Sequence, residues 1–111
     1  MPTSNLTESC ATNNELVLEV AVLRILEGQD AAFEVAFGQA RLCLDGAQGY
    51  VSHSLHRSVE EPNVYLLFIQ WRTLEDHTIA FRASSQHDEW KQLLAPFYDG
   101  RPLVNHYTRC F

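Results

Sequence analysis

Midway along the chain the sequence reads Tyr65-Leu66-Leu67-Phe68-Ile69-Gln70-Trp71-Arg72-Thr73-Leu74-Glu75-Asp76-His77-Thr78-Ile79-Ala80-Phe81-Arg82-Ala83-Ser84. The first seven residues form a strand-like run that is apolar on both sides, so each face of that strand needs a cover. One face can take this chain's own helices, and the other needs a partner. The residues that follow carry Trp, His and Arg into a helix start, where we look first for chemistry.

Two capping signals follow this strand. Thr73 and Asp76 have the spacing of a capping box, in which each side chain binds the other residue's backbone N–H, and Ser85 and Asp88 repeat that spacing. The sequence therefore predicts two consecutive helices with a break near Ser84. A proline at position 96 ends or bends the second helix, because its ring clashes with the preceding turn.

The first half of the domain predicts a strand, a helix and a second strand. Residues 16–25 are β-branched and largely apolar, as in a strand buried on both faces. Asp30 is placed to cap an amphipathic helix. The apolar residues of that helix are Phe33, Ala36, Phe37, Ala40 and Leu44. Residues 50–56 alternate, which predicts Val51, His53 and Leu55 on one face of the second strand and Tyr50 on the other.

The order of these elements predicts the fold. A short turn at residues 60–63 makes strands two and three an antiparallel hairpin, whereas the helix between strands one and two forces a crossover. A last strand near residues 103–110 completes β-α-β-β-α-β, the ferredoxin-like α+β arrangement with an antiparallel sheet. We expect residues 1–14, which are polar, to form a flexible N-terminal arm and residues 15–111 to form one domain.

Composition excludes several classes of partner. The net charge of −6 and the pI near 5.2 argue against nucleic acid and anionic membranes, since the 8 Lys and Arg residues are scattered. Cys10, Cys43 and Cys110 are odd in number and lack a C-x-x-C pair, so we expect neither a disulfide framework nor a zinc site. The start has no signal-peptide pattern and no apolar run spans a bilayer. We expect a cytoplasmic protein.

Six short phrases, in order along the chain, carry a family resemblance. They are Gly49-Tyr50-Val51-Ser52-His53-Ser54-Leu55, Ile69-Gln70-Trp71, Glu75-Asp76-His77, Phe81-Arg82-Ala83-Ser84, Glu89-Trp90 and Val104-Asn105-His106-Tyr107. Together they resemble the antibiotic biosynthesis monooxygenase domain family over roughly residues 16–109. The resemblance implies a homodimer, in which the sheets of two ferredoxin-like subunits pack face to face as a dimeric α+β barrel.

The resemblance also implies a reaction. Enzymes of this family oxygenate electron-rich aromatic molecules such as quinols, anthrones and polyketide intermediates, using O2 without a flavin or a metal. The implied partners are therefore a small aromatic substrate and O2, with no cofactor. Because the deprotonated substrate is itself the reductant, such a site needs a dry cavity, a base tuned near neutral pH and donors for the developing anion.

Within that scheme the resemblance suggests three catalytic candidates. His77 is the preferred base or hydrogen-bonding group, Trp71 a cavity wall or orienting donor, and Arg82 a stabiliser of negative charge. The substrate-binding candidates are His53, Phe81 and His106.

Each catalytic candidate also has a simpler interpretation. Trp71 is equally typical of a large core side chain at the end of a strand. His77 could be part of an exposed first helical turn. Arg82 could pair on the surface with Glu75, Asp76 or Glu89, which contributes little to stability.

Two other functions stay open from the sequence. One is a non-catalytic dimeric domain that binds or senses a hydrophobic small molecule. The other is haem binding or degradation. Family members with that activity resemble one another in having Asn on strand one, Trp on the first of the two consecutive helices and a haem-ligating His on the second. Here those places hold Glu19, Phe81, and Lys91 or Trp90, which counts against haem, although His87 lies nearby.

A metal site on strand two is not expected. His53 and His56 are three residues apart, so they point to opposite faces of a strand and cannot bind one ion together.

Overall fold

The computed structural model describes residues 16–111, so the predicted arm at residues 1–14 lies outside the described residues. The strands are β1 (Val17–Arg24), β2 (Tyr50–Arg57), β3 (Val64–Trp71) and β4 (Leu103–Thr108). The α-helices are α1 (Asp30–Ala40) and α2 (Ser85–Leu94). A π-helix (Asp76–Phe81) precedes α2, and short 3₁₀ turns follow α1 (Arg41–Leu44) and α2 (Ala95–Phe97).

The four strands form one antiparallel sheet in the order β2-β3-β1-β4. Strand β1 is central and pairs with both β3 and β4, so Glu19 lies between Ile69 on one side and His106 on the other. Strand β4 forms one edge of the sheet. The predicted ferredoxin-like α+β fold is confirmed.

Both α-helices cover the same face of the sheet. Phe33 and Phe37 of α1 and Trp90 and Leu94 of α2 are buried in one apolar cluster with alternate residues of β1 and β3. The members from the sheet are Ala21, Leu23, Tyr65, Leu67, Ile69 and Trp71. Burial of this apolar surface is the main force that holds the helices on the sheet.

The opposite face of the sheet is also apolar. It carries the intervening side chains of the two central strands, which are only half-buried: Leu18, Val20, Val22, Leu66 and Phe68. Within residues 16–111 no helix packs on this face, since the buried residues of α1 and α2 belong to the cluster on the other side. The two-sided apolar strands predicted from the sequence are therefore present.

Two predicted caps differ from the structure. Asp30 is the first residue of α1 rather than its cap, and its Oδ2 accepts a hydrogen bond of 2.7 Å from Nη2 of Arg57. Ser84, not Ser85, caps α2 by accepting a hydrogen bond from the backbone N–H of His87. The Asp30 contact with Arg57 is tertiary and is not visible in the local spacing, whereas the Ser84 cap is a local contact that lies one residue before the predicted one.

The predicted alternation of β2 is wrong at its start. A β-bulge between Tyr50 and Ser52 shifts the register, and Tyr50 packs against the helix-covered core. Its hydroxyl lies 2.7 Å from Nδ1 of His53 on the same face. One extra residue at a bulge moves every earlier side chain to the other face of the sheet.

Cys43 is a free, buried thiol within the core cluster, as expected of a small hydrophobe. Cys110 is disulfide-bonded, although the sequence analysis expected no disulfide framework. In the part of the chain from residue 16 onward, no helix is long and apolar enough to cross a membrane.

Candidate active site

A cavity of about 270 Å³ lies between the sheet and the segment formed by the π-helix and α2. Its walls are mainly apolar and include Ala21, Leu23, Leu67, Ile69, Phe81, Trp90 and Val104. The polar side chains at its surface are Glu19, His77, Arg82, His87, Lys91 and Tyr98. An apolar pocket with a few convergent polar groups is the usual form of a small-molecule site.

Glu19 is a carboxyl group on the buried face of β1, with only 5% of its surface exposed. Its Oε1 accepts a hydrogen bond of 2.9 Å from Nε1 of Trp71 and lies 3.4 Å from Nε2 of His77. Burial raises the pKa of Glu19 to about 7, although the Trp71 hydrogen bond and the positive charge of Arg82 act in the opposite direction. Glu19 therefore exchanges a proton near neutral pH.

His77 connects Glu19 to a second histidine. Its Nδ1 lies 2.8 Å from Nε2 of His106, and its ring stacks on the Trp71 indole with a centroid distance of 5.3 Å and an interplanar angle of 17°. Burial, followed by the charge of Arg82 and the neighbouring His106 and His87, lowers the pKa of His77 to about 3. The His77 ring is therefore neutral at neutral pH.

The predicted capping box holds the start of the helix that carries His77. Thr73 Oγ1 accepts a hydrogen bond of 3.1 Å from the Asp76 N–H, and Asp76 Oδ2 accepts one of 3.1 Å from the Thr73 N–H. Gln48 Nε2 also donates to Asp76 Oδ1 at 2.8 Å. These bonds fix the backbone directly before His77.

The π-helix aligns two site residues. The Arg82 N–H donates to the His77 carbonyl at 3.3 Å, a bond that spans five residues. In an α-helix a residue five positions on lies on a different face, whereas the wider π turn brings it under its partner. His77 and Arg82 consequently line one cavity. The Arg82 guanidinium forms no ion pair with any residue from 16 to 111, so the surface pairs considered above are not found.

The structure brings most of the predicted site residues together. His77, Phe81 and Arg82 line the cavity. Trp71 is fully buried behind Glu19 and His77 and does not reach the cavity wall. His106 touches His77 but likewise lies outside the cavity lining. His53 lies apart, bonded to Tyr50 and edge-on to Phe37.

Four polar residues at the cavity were absent from the predicted site: Glu19, His87, Lys91 and Tyr98. A signal for Glu19 exists in the sequence, since it shares the inward face of β1 with Ala21 and Leu23, where a carboxyl group needs a special reason. Tyr98 follows α2, and burial together with the nearby Glu19 carboxylate raises its pKa. The sequence contains no comparable signal for this contact.

Metal binding has no evident donor set here. Among residues 16–111, no group of three His, Cys, Asp or Glu side chains is arranged to hold a metal ion.

The chain is similar to a known protein family and to a protein of Bacillus subtilis. The model of the antibiotic biosynthesis monooxygenase family matches residues 16–93. The uncharacterised protein YczJ of Bacillus subtilis (strain 168) is 49% identical over 92 residues, which cover 83% of this chain and 97% of YczJ.

Two solved structures are similar to the fold. A Bordetella bronchiseptica protein assigned to the antibiotic biosynthesis monooxygenases has a TM-score of 0.83 and 33% identity, covering 86% of this chain and 97% of that one. SnoaB of Streptomyces nogalater, a cofactor-independent oxygenase, has a TM-score of 0.73 at 20% identity, covering 86% and 93%. The family match and the relatives together show that the chain belongs to the antibiotic biosynthesis monooxygenase family.

Proposed function

We propose that the protein is a cofactor-independent monooxygenase that oxidises a quinol-like or polycyclic aromatic molecule with O2. The observation that carries this proposal is the apolar cavity with Glu19, His77 and Arg82 at its surface. Family membership supports the reaction class, and the similarity to SnoaB supports a fold compatible with it. An apolar cavity of this size suits a flat aromatic molecule better than a highly charged one.

The proposed chemistry starts with loss of a proton from the substrate hydroxyl or its acidic C–H. The resulting anion passes electrons to O2 and forms a C–O bond with it, which gives a peroxide. Protonation and cleavage of the O–O bond, with loss of the C–H proton at that carbon, leave a C=O group, so the substrate supplies all four electrons that reduce O2. One oxygen atom enters the product and the other leaves as water. The protein contributes a proton acceptor, positive charge beside the anion and a cavity that excludes bulk water.

Each predicted catalytic residue has a role in this scheme. Arg82 stabilises the substrate anion, because this residue lines the cavity and its side chain forms no ion pair within residues 16–111. His77, whose ring is neutral, is a hydrogen-bonding group at the cavity wall. Trp71 is a positioning residue, since it touches Glu19 and His77 and not the cavity.

We further propose that the working form is a homodimer built on the outer face of the sheet. This face carries Val20 and Phe68 at its centre, as half-buried side chains that no helix of the described chain covers. A Val20→Glu or Phe68→Glu substitution places a charge there, and sedimentation velocity should then show a monomer. A wild-type protein that sediments as a monomer at micromolar concentration would contradict this assembly.

A cytoplasmic location stays a prediction from the sequence.

The function is tested by oxygen consumption. Purified, chelator-treated protein is mixed with a panel of quinols and anthrones, and uptake is followed with an oxygen electrode. We expect substrate-dependent uptake that falls about 100-fold in Arg82→Gln, because the anion loses its stabilising charge. Arg41→Gln, a matched loss of charge at an exposed position, is expected to retain the wild-type rate.

The alternative functions are separated by the same samples. Thermal stabilisation by panel compounds without any oxygen uptake would favour a domain that only binds small molecules. A shift of the Soret band on addition of hemin would favour haem binding. Either result from folded protein, without oxygen uptake on any compound, would contradict the proposed oxygenase.

A further inference from the structure

We propose that Glu19 is the catalytic base that takes the substrate's proton, and that His77 and His106 carry this proton to the edge of the sheet. The inference rests on the proposed oxygenase function and assigns roles that the sequence did not suggest. It stands on three adjoining contacts: the cavity with Glu19, Glu19 with His77, and His77 with His106.

The position of Glu19 suits a base. The Trp71 N–H and His77 lie against only one of its carboxyl oxygens, Oε1. The second oxygen, Oε2, has no hydrogen-bond partner in residues 16–111. Every fully buried side-chain oxygen of the described chain does have such a partner, so Oε2 is not fully buried. Because Glu19 lines the cavity, Oε2 is accessible from there and is free to accept a proton from a bound molecule.

His77 is less suited to be the primary base. Both of its ring nitrogens face other protein groups, Nε2 towards Glu19 and Nδ1 towards His106. Its surroundings also disfavour the charged ring, since His77 is buried and the positive charge of Arg82 lies nearby. A ring held in this way transmits a proton more readily than it stores one.

A proton can leave the site along the same contacts without creating a lasting charge on His77. Rotation of the protonated carboxyl group about its Cγ–Cδ bond brings the O–H from the cavity to the side of His77, where the other oxygen lay. The O–H then donates to Nε2 of His77 while the N–H at Nδ1 of His77 passes its proton to Nε2 of His106. His106 then releases the proton at its Nδ1 to solvent. A proton returns by the reverse steps when the peroxide is converted to product and water, and this return restores the original tautomers of both histidines. His106 is half-buried on edge strand β4, whereas Glu19 lies on central strand β1. The path therefore leads outward from the cavity.

The groups around Glu19 determine its pH dependence. Trp71 on β3 and His77 on the π-helix contact its carboxyl group directly. The positive charge of Arg82 lowers the pKa of Glu19. Tyr98 lies close enough that Glu19 contributes to raising the pKa of Tyr98. His106 lies opposite Glu19 in the register of β1 and β4. Oxygen uptake should therefore rise with pH through a single step near 7 in the wild type.

The test measures oxygen uptake on the active panel compounds from pH 5 to 9 at low and high imidazole concentration. Glu19→Gln keeps an oxygen for the Trp71 N–H, and we expect its rate to fall about 100-fold and to lose the step near pH 7. Glu60→Gln, an exposed carboxylate on the hairpin turn, is the matched control and should match the wild type.

The exit path is tested with His106→Phe and His106→Gln, which differ in their ability to hydrogen-bond. We expect about a tenfold loss at low buffer in His106→Phe, recovered by imidazole as a small proton carrier, while circular dichroism and melting temperature show both variants folded. A Glu19→Gln variant with the wild-type rate and pH profile overturns the role of Glu19, and a His106→Phe rate without buffer dependence overturns the exit path. Absence of uptake by the wild type would instead refute the oxygenase function on which both depend.

Discussion

Asp76 and Glu19 are both carboxyl groups removed from solvent, with 7% and 5% of their surface exposed, but their environments shift their pKa in opposite directions. Asp76 lies shallowly at the helix start and accepts hydrogen bonds from Gln48 and Thr73, the Gln48 bond being the largest cause of its lowered pKa. Glu19 lies deep beneath the helices with one N–H donor, and burial outweighs that bond.

The difference lies in the number of donors relative to the depth of burial. A carboxylate that receives several hydrogen bonds stays charged and fixes structure, whereas a deeper one with fewer donors keeps its proton to higher pH. Asp76 is therefore an anchor for the helix start, and Glu19 is available for proton transfer. The two are linked, because the residue that Asp76 positions next in the chain is His77, the neighbour of Glu19.

The largest loss of stability is expected from a substitution at Gly49 that fills the space occupied by the Asp76 side chain. Gly49 has a φ of +76° and a Cβ at this position would overlap the Asp76 side chain. We expect Gly49→Ala to lower the free energy of unfolding by about 4 kcal/mol, the sum of left-handed strain and overpacking. Urea denaturation measures this change.

Gly28→Ala is the matched control for that substitution. Gly28 has a φ of +79° and no atom within 4 Å of the added Cβ, so only the backbone strain remains. The expected loss is about 1 kcal/mol. If both variants lose the same free energy of unfolding, the overlap of the added Cβ with the Asp76 side chain contributes nothing, which would contradict this prediction.

The next largest effect is the pH dependence that Glu19 confers on stability. Below pH 4.5 both folded and unfolded chains carry its proton, whereas between pH 4.5 and about 7 only the folded chain keeps it. As the pH rises through this interval, the free energy of unfolding of the wild type should therefore fall by about 3 kcal/mol relative to that of Glu19→Gln. Above about pH 7 the difference between the two proteins should stay constant. Urea titrations of both proteins at several pH values measure it.

His77 acts in the opposite direction in the same pH interval, so the comparison with Glu19→Gln is needed. The unfolded chain binds a proton at His77 below pH 6.5 while the folded chain does not, which lowers stability as the pH falls. Subtracting the two titrations removes this contribution if His77 is unchanged in the variant. A difference that does not vary with pH would contradict the raised pKa of Glu19.

A smaller effect is expected from weakening Asp76 itself. Asp76→Asn keeps one acceptor oxygen but faces Gln48 or Thr73 with an NH2 group, and we expect a loss of about 2 kcal/mol at pH 7. Because the pKa of Asp76 is lowered in the folded chain, this stabilisation is present above pH 3.8 and is lost as the pH falls further. The exposed Asp45→Asn is the control and should change stability by less than about 0.5 kcal/mol.

The sequence was sufficient for the fold because its signals are local. The Thr73–Asp76 capping box, the helical spacing of Phe33 and Phe37 and the strand ending at Trp71 all lie where the structure has them. The misplaced cap at Asp30 has a tertiary cause, since Arg57 from another strand takes its carboxylate. The bulge near Tyr50 has no marker residue such as glycine inside the strand.

The site was predicted only in part. His77, Phe81 and Arg82 follow from one continuous segment, and their common cavity depends on the π turn, which helical spacing alone does not reveal. Glu19 and His106 come from opposite ends of the chain and meet only because β1 lies beside β4. Their role depends on strand register and burial depth, neither of which is written in local sequence.

The most direct test of the account is the ionisation of Glu19 in the folded protein. Protein labelled with ¹³C at the glutamate side-chain carboxyl is titrated by NMR, with Glu19→Gln used to assign the signal. We predict a Glu19 carboxyl signal that titrates near pH 7. A signal that titrates near the ordinary value of 4.5 would contradict it, because Glu19 would then be no different from a solvent-exposed carboxylate.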